Sequence, residues 1–206
     1  MNKLVVGREA REAIGLDALS RPIAETLNAI AEAKRKHVAD LTVFVLEKPR
    51  HQQLIADIRA AGARVLLRTD GDVAGALMAA TPESGVDALM GVGGTPEGVI
   101  AACAVRALGG AMLGQLAPQL RGEREAVLAA GIDLERVYAA GDLVQSDDVF
   151  FAATGLTDGV LMPGVHYTAD GATTDSMVLR GKTGTWRTIH AEHRWEKLKE
   201  ISQIAY

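Results

Sequence analysis

The sequence predicts an α/β fold, with a mainly parallel βαβ sheet and a β-rich C-terminal segment packed against it. Two observations carry this. A strand, loop and helix recur three times between Leu41 and Gly110, the signature of parallel strands joined by crossover helices. From Leu143 onward the pattern changes to short β-rich runs separated by Thr-Gly, Asp-Gly and Lys-Thr-Gly turns. The chain has 206 residues, 48% hydrophobic and 23% charged, which suits a packed core and excludes wholesale disorder.

The elements follow in order. Ile14 to Lys36 reads as a helix with Ile23, Leu27 and Ile30 on one face. Leu41–Leu46 is the first buried strand of the repeat; Leu54, Ile55 and Ile58 then recur at helical spacing up to Gly62. Arg64–Arg68 is a second strand, Thr69–Asp72 a turn, and Val73–Ala80 an alanine-rich helix. Pro82 and Gly85 break that helix before Val86–Val92, a third strand. Gly93-Gly-Thr-Pro96 then opens a helix ending at Gly109-Gly110, with Thr95 expected as N-cap and Pro96 at the first helical position. Arg121–Ala130 is a short helix closed by Gly131. In the tail, Val149–Ala152, Val160–Val165, Ser176–Leu179 and Trp186–Ile189 read as strands, and Arg194–Ile204 as a closing helix. Residues 1–142 and 143–206 are thus expected as two regions of one α/β unit.

Composition narrows the function. A net charge of −4 and a pI near 5.7 argue against a dedicated nucleic-acid binder. One cysteine, Cys103, excludes an internal disulfide framework and a Cys-rich zinc site. No apolar run approaches the ~20 residues that span a bilayer. With no signal-peptide pattern after Met1, the reading is a soluble cytoplasmic protein. No Gly-x-Ser-x-Gly elbow or Gly-Lys-Ser/Thr phosphate loop occurs.

In parallel sheets, ligands bind where strands give way to helices at their carboxyl ends. Three such loops carry charge or glycine: Lys48–Gln52, Thr69–Asp72 and Gly93–Glu97. Gly91-Val-Gly-Gly-Thr-Pro-Glu-Gly98 suits an anion at a helix start, although Pro96 breaks the dinucleotide spacing. On pattern alone Glu97 is a dipole-complementing carboxylate or a metal ligand beside a phosphate. Arg50 offers a planar fork for phosphate and His51 a further donor, or the two form a solvated face. Asp70 and Asp72 are turn and cap residues, or acceptors for sugar hydroxyls. Cys103 reads as inert core, and Asp142, Asp147 and Asp148 as loop and cap carboxylates. Arg180, Lys182 and Arg187 form a phosphate-facing patch or a soluble hairpin surface, and His190 with His193 is a weak metal candidate.

Taken together, Lys48-Pro-Arg-His51, Thr69-Asp-Gly-Asp-Val73 and Gly91–Val99 resemble class II fructose-1,6-bisphosphatases in identity, order and spacing. Ser146-Asp-Asp148, Ala153-Thr-Gly155, Thr157-Asp-Gly159, Thr173-Thr174 and Leu179-Arg-Gly-Lys182 extend the resemblance over essentially the whole chain. It implies a layered α/β sandwich of the lithium-sensitive phosphatase superfamily. The implied activity is that of a phosphoric monoester hydrolase, removing the 1-phosphate of fructose 1,6-bisphosphate in gluconeogenesis or Calvin-type carbon metabolism. Some bacterial members also take sedoheptulose 1,7-bisphosphate.

By the same resemblance, Arg50, His51, Gln52, Asp70, Gly71, Asp72 and Gly94 bind substrate, and Glu97 binds a divalent metal, Mn²⁺ or Mg²⁺. No catalytic side chain is assigned. Gln52 departs from the acidic residue of some members, and Asp148 stands where Asn is common. The family's Asp-Pro-x-Glu/Asp-Gly-Thr/Ser motif, which serves its metal site, occurs nowhere in the sequence. The resemblance therefore covers the family's C-terminal two-thirds, and little or no phosphatase activity is expected of this chain alone. Its expected partners are the sugar bisphosphate and either further copies of itself or a separate N-terminal metal-binding segment. The alternatives are a non-catalytic sugar-phosphate-binding module and one half of a split enzyme.

Overall fold

A computed structural model describes residues 1–201. Among these residues the main sheet has six strands in the order β3-β2-β4-β1-β5-β6. They are β1 (Asn2–Val6), β2 (Thr42–Leu46), β3 (Arg64–Arg68), β4 (Ala88–Val92), β5 (Ala111–Gln115) and β6 (Val137–Ala139). β2, β3, β4 and β5 run one way, while β1, inserted between β4 and β5, and β6 at the edge run the other. A second, antiparallel sheet holds β7 (Phe150–Thr154), β8 (His166–Tyr167), β9 (Gly171–Arg180) and β10 (Thr185–Arg194).

The period of two along each strand decides the layering. Leu4, Val6, Val43 and Val45 face one way, toward α1 (Ile23–Lys34) and α2 (Gln52–Ala60), and pack on Leu27, Ile30 and Ile58. Val5 and Phe44 face the other way, onto α3 (Asp72–Ala80) and α4 (Thr95–Leu108). Alanine lets these two helices approach closely. A Cβ at Gly75 would stand 2.5 Å from the Phe44 ring, so α3 reaches the sheet only with glycine there. The far side of α3 and α4 presents Leu77 and Ala104 to Phe151, Met177 and Leu179 of the second sheet. The result is a helix–sheet–helix–sheet sandwich, each buried aliphatic side chain contributing roughly 1.5–3 kcal/mol.

An ion-paired knot closes the end of the sheet opposite the polar loops. The buried Asp87 carboxylate accepts from Lys36 Nζ at 2.7 Å and from the Thr42 N–H at 2.9 Å, and pairs with Lys34 Nζ at 2.9 Å. Burial pushes its pKa upward, but the hydrogen bonds from Lys36, Thr42 and Lys34 outweigh this and hold it below its ordinary value.

Several expected elements need correction. Ile14–Lys36 is broken by Pro22 into a 3-10 turn (Leu16–Leu19) and α1, because proline's missing N–H and fixed ring cannot continue a helix. Val160–Val165 is not a strand. Pro163 and Gly164 sit in a loop held by the Gly159 N–H to Met162 O bond and by Asp158 Oδ1 accepting from the Gly164 N–H. β1, β5 and β6 are strands beyond those the sequence pattern predicts, and β9 and β10 form a hairpin longer than their apolar centres. The closing helix α7 spans Trp195–Ile201, and the rest of the stretch to Ile204 lies outside the described residues. Two further helices, α5 (Arg121–Ala129) and the short α6 (Ala140–Leu143), flank β6 in the chain. No helix among the described residues is long and apolar enough to cross a membrane.

Candidate functional site

The crossovers define where a ligand can bind. From β2 the chain passes through α2 on one face to β3 at the edge; from β3 it returns through α3 on the other face to β4. β4 in turn leads into α4 on the same face as α3, so the loops after β2 and β4 leave toward opposite faces and a crevice opens between their carboxyl ends.

The loop after β2 is tied across that crevice. Arg50 donates from Nε and Nη2 to Val92 O at 3.1 and 2.8 Å. His51, 2% exposed, accepts from the Val92 N–H at Nε2 (2.8 Å) and bonds Leu46 O through Nδ1 (2.7 Å). An N–H arriving at Nε2 places the ring proton on Nδ1, so both nitrogens are used by backbone. The expectation that His51 offers a spare donor to a phosphate is thus corrected: the ring staples β2 to β4. Burial is the largest influence on it and lowers its pKa, reinforced by the Arg50 charge and opposed by the Leu46 carbonyl.

The loop after β3 is set by Gly71, whose φ of +90° favours glycine. Gly71, not Asp72, is the N-cap of α3. Asp72 stands in the first turn and bonds Lys3 Nζ through Oδ2 at 2.5 Å. Asp70 is exposed and pairs with Lys48 Nζ at 3.3 Å, linking the β2 and β3 loops. In the loop after β4, Gly94 rather than Thr95 is the N-cap of α4, because Gly94 is the last extended residue and Thr95 is already helical; no side-chain oxygen takes the capping bond. Glu97 follows in the first turn. A Cβ on Gly94 would overlap Glu97 Oε2, and one on Gly93 would overlap Asp72 Oδ2, so both glycines clear space for a carboxylate.

Beside these loops lies a cavity of about 570 Å³, bordered by Arg50, Val92–Pro96, Gln119 and Glu123. Arg50 and Gly94 meet there. Gln52 instead lies with Lys48 in a separate groove over α2, so the structure does not bring it to Arg50's side. Glu123 is engaged in capping α5, accepting from the Gln119 and Leu120 N–H groups. Sequence reading missed Lys3, and it read Gly91 as part of an anion-binding loop rather than as the residue that clears space beside His51. Gly91, with φ +129° and its missing Cβ 3.0 Å from His51 Nε2, leaves room for the staple. A lysine heading an apolar Leu4-Val5-Val6 run was the available signal for the first.

Several of the other candidates have structural partners. Arg106 and Arg180 pair with Asp147 and Asp148, and Asp142 caps the Ala139 N–H at 2.8 Å. Arg180 also stacks over Phe150. His190 bonds Asp175 and His193 bonds Thr174 along the β9–β10 hairpin. Cys103 is half-buried on α4. Among the described residues, no group of three or more His, Cys, Asp or Glu side chains is arranged to hold a metal ion. Glu97 alone falls short of the several oxygen ligands that Mg²⁺ or Mn²⁺ takes, so these residues do not fit a complete metal site.

Comparison with known proteins gives the chain a family. The family model "Bacterial fructose-1,6-bisphosphatase, glpX-encoded" matches residues 1–193. Fructose-1,6-bisphosphatase 1 class 2 of Escherichia coli K12 and fructose-1,6-bisphosphatase class 2 of Haemophilus influenzae are each 39% identical over 217 aligned residues. The alignments cover 99% of this chain but 64% of either relative, so the chain spans under two-thirds of their length. The chain belongs to the bacterial glpX-encoded fructose-1,6-bisphosphatase family.

Proposed function

We propose that this chain supplies the sugar-phosphate-binding part of a fructose-1,6-bisphosphatase, with fructose 1,6-bisphosphate as its ligand. The observation that carries the reading is the meeting of Arg50 and Gly94 at one cavity, which lies at the carboxyl ends of β4 and β5 and which Arg50 reaches from the β2 loop. Arg50 is held by Val92 O, which orients its planar fork at the cavity wall. The first turn of α4 brings N–H groups without helical partners, which favour a phosphate. Asp70 and Asp72 are proposed to accept from sugar hydroxyls, carboxylate oxygens being pure acceptors, and Gly71 to contact the sugar through its backbone.

Glu97 is proposed as one ligand of a divalent cation, Mn²⁺ or Mg²⁺, which in phosphate ester hydrolysis supplies charge stabilisation and an activated water. The other ligands would have to come from polypeptide beyond the described residues. What this chain does is bind and orient the sugar phosphate. Little or no phosphate release is expected from it alone. The paucity of carboxylates around Glu97 equally favours a second reading, a sugar-phosphate-binding module without catalysis.

The test is calorimetric titration of the purified chain with fructose 1,6-bisphosphate, in chelator and in Mn²⁺, beside a phosphate-release assay. Binding in chelator that Arg50→Ala weakens supports the proposal. Absence of binding under both conditions overturns it. Robust Mn²⁺-dependent turnover would overturn the expectation of inactivity.

A further inference from the structure

We infer that Lys3 is a positioning residue that sets the Asp72 carboxylate and the Gly93–Gly94 loop in their binding geometry; this rests on the sugar-phosphate reading above. β1 alternates, so Lys3 points with Met1 and Val5 toward the α3–α4 side of the sheet. Its side chain is 2% exposed, that of Asp72 14%. The ammonium arrives at Asp72 through a gap that two glycines leave open. A Cβ on Gly93 would lie 3.0 Å from Lys3 Nζ, and one on Gly98 would lie 3.2 Å from Lys3 Cε. One lysine thereby joins the head of α3 to the head of α4.

Stability does not account for this residue. Burying an ion pair roughly balances desolvation against attraction, and an apolar side chain of similar volume at such a site is often neutral or stabilising. Methionine or leucine would suit β1 beside Met1 and Val5. What an apolar side chain lacks is direction. Lys3 takes Asp72 Oδ2 at 2.5 Å, which fixes the rotation of the carboxylate and leaves Oδ1 for another donor. The fixed Oδ2 also fills the space above Gly93, so the carboxylate and the β4 loop are set together.

The test has a ligand-free arm and a binding arm. In ¹H–¹⁵N spectra, Lys3→Met is expected to displace the Gly71, Gly93 and Gly94 amides and leave Gly131 and Gly184 in place. Unmoved loop glycines would overturn the inference. In titration with fructose 1,6-bisphosphate, Lys3→Met is expected to weaken binding about tenfold, a change of about 1.4 kcal/mol. The Lys3→Met/Asp72→Asn double variant should bind no more weakly than Asp72→Asn alone, because Lys3 acts through Asp72. Parent-like affinity of Lys3→Met, or additive losses in the double variant, would overturn it. Should Lys3→Met fail to fold, Asp72→Glu is read instead: its longer arm should displace the same amides, and parent-like spectra would be decisive against the inference. If the parent chain does not bind the sugar phosphate, the functional reading falls and the amide spectra alone decide the positioning role.

Discussion

His51 lies in the loop after β2 and Val92 is the last residue of β4, and although the loops after these two strands leave toward opposite faces of the sheet, a single imidazole joins them. Its Nε2 takes the Val92 N–H at 2.8 Å while Nδ1 gives its proton to Leu46 O at 2.7 Å. Arg50, the preceding residue, takes the Val92 carbonyl. Both polar groups of the Val92 backbone are therefore satisfied by the β2 loop, which fixes the spacing between the two sides of the crevice.

Removing the staple should be expensive for folding. His51→Ala strands a buried N–H and carbonyl and opens a cavity, and a loss of about 2–4 kcal/mol is expected in urea unfolding. Gly91→Ala should cost about 1–3 kcal/mol, because alanine at φ +129° is strained and its Cβ presses on the ring. A midpoint shift under 0.5 kcal/mol for His51→Ala would contradict the staple.

The same residue gives stability a pH dependence. Its folded pKa lies below the ordinary 6.5, so the unfolded chain takes up the proton first as pH falls. The contribution is complete above pH 6.5 and is lost as pH falls toward and through the folded pKa. Unfolding measured at pH 7.5 and pH 5.5 should show a larger decline in the parent than in His51→Gln. Equal declines would show that His51 does not carry it.

Arg50 is expected to matter for binding more than for folding. Arg50→Ala should lower sugar-phosphate affinity about 10–100-fold, and Arg50→Lys should recover little, because an ammonium lacks the planar fork. Calorimetry on all three proteins checks this; full recovery by lysine would show that only charge is required.

Gly94 has an ordinary φ of −61°, so alanine is conformationally allowed there. Its Cβ would nevertheless displace the Glu97 carboxylate. Gly94→Ala should hold stability to within about 1 kcal/mol while weakening sugar-phosphate binding about tenfold. A parent-like affinity would place the ligand elsewhere.

At the opposite end of the sheet, Asp87→Asn leaves Lys34 and Lys36 without their shared carboxylate. A loss of about 2–3 kcal/mol is expected, moderated because both lysines have some access to water. The folded pKa of Asp87 lies below its ordinary 3.8, so its stabilisation is present above pH 3.8 and lost as pH falls through the folded value. Acid unfolding should accordingly be flatter in Asp87→Asn, and an unchanged acid limb would count against the knot.

Much of this protein was legible in the order of its residues. Gly62, Pro82, Gly85 and the Gly109-Gly110 pair punctuate the chain through local backbone preference, so the three βα repeats and their three polar loops followed from sequence alone. The family also followed, because its motifs keep their identity and spacing along the chain. Tertiary structure decided what local signals cannot carry. β1 is a short strand whose place between β4 and β5 depends on partners about 90 and 110 residues away, so the lysine that heads its apolar run is visible in the sequence but its partner Asp72 is not. The same holds for His51: its residue type suggests a donor to a ligand, but only the arrival of the Val92 N–H shows that both ring nitrogens are taken. Sequence determines which groups a chain carries and how far apart they lie along it; hydrogen-bond partners and burial are set by distant segments, and they decide which of those groups remain free to meet a ligand.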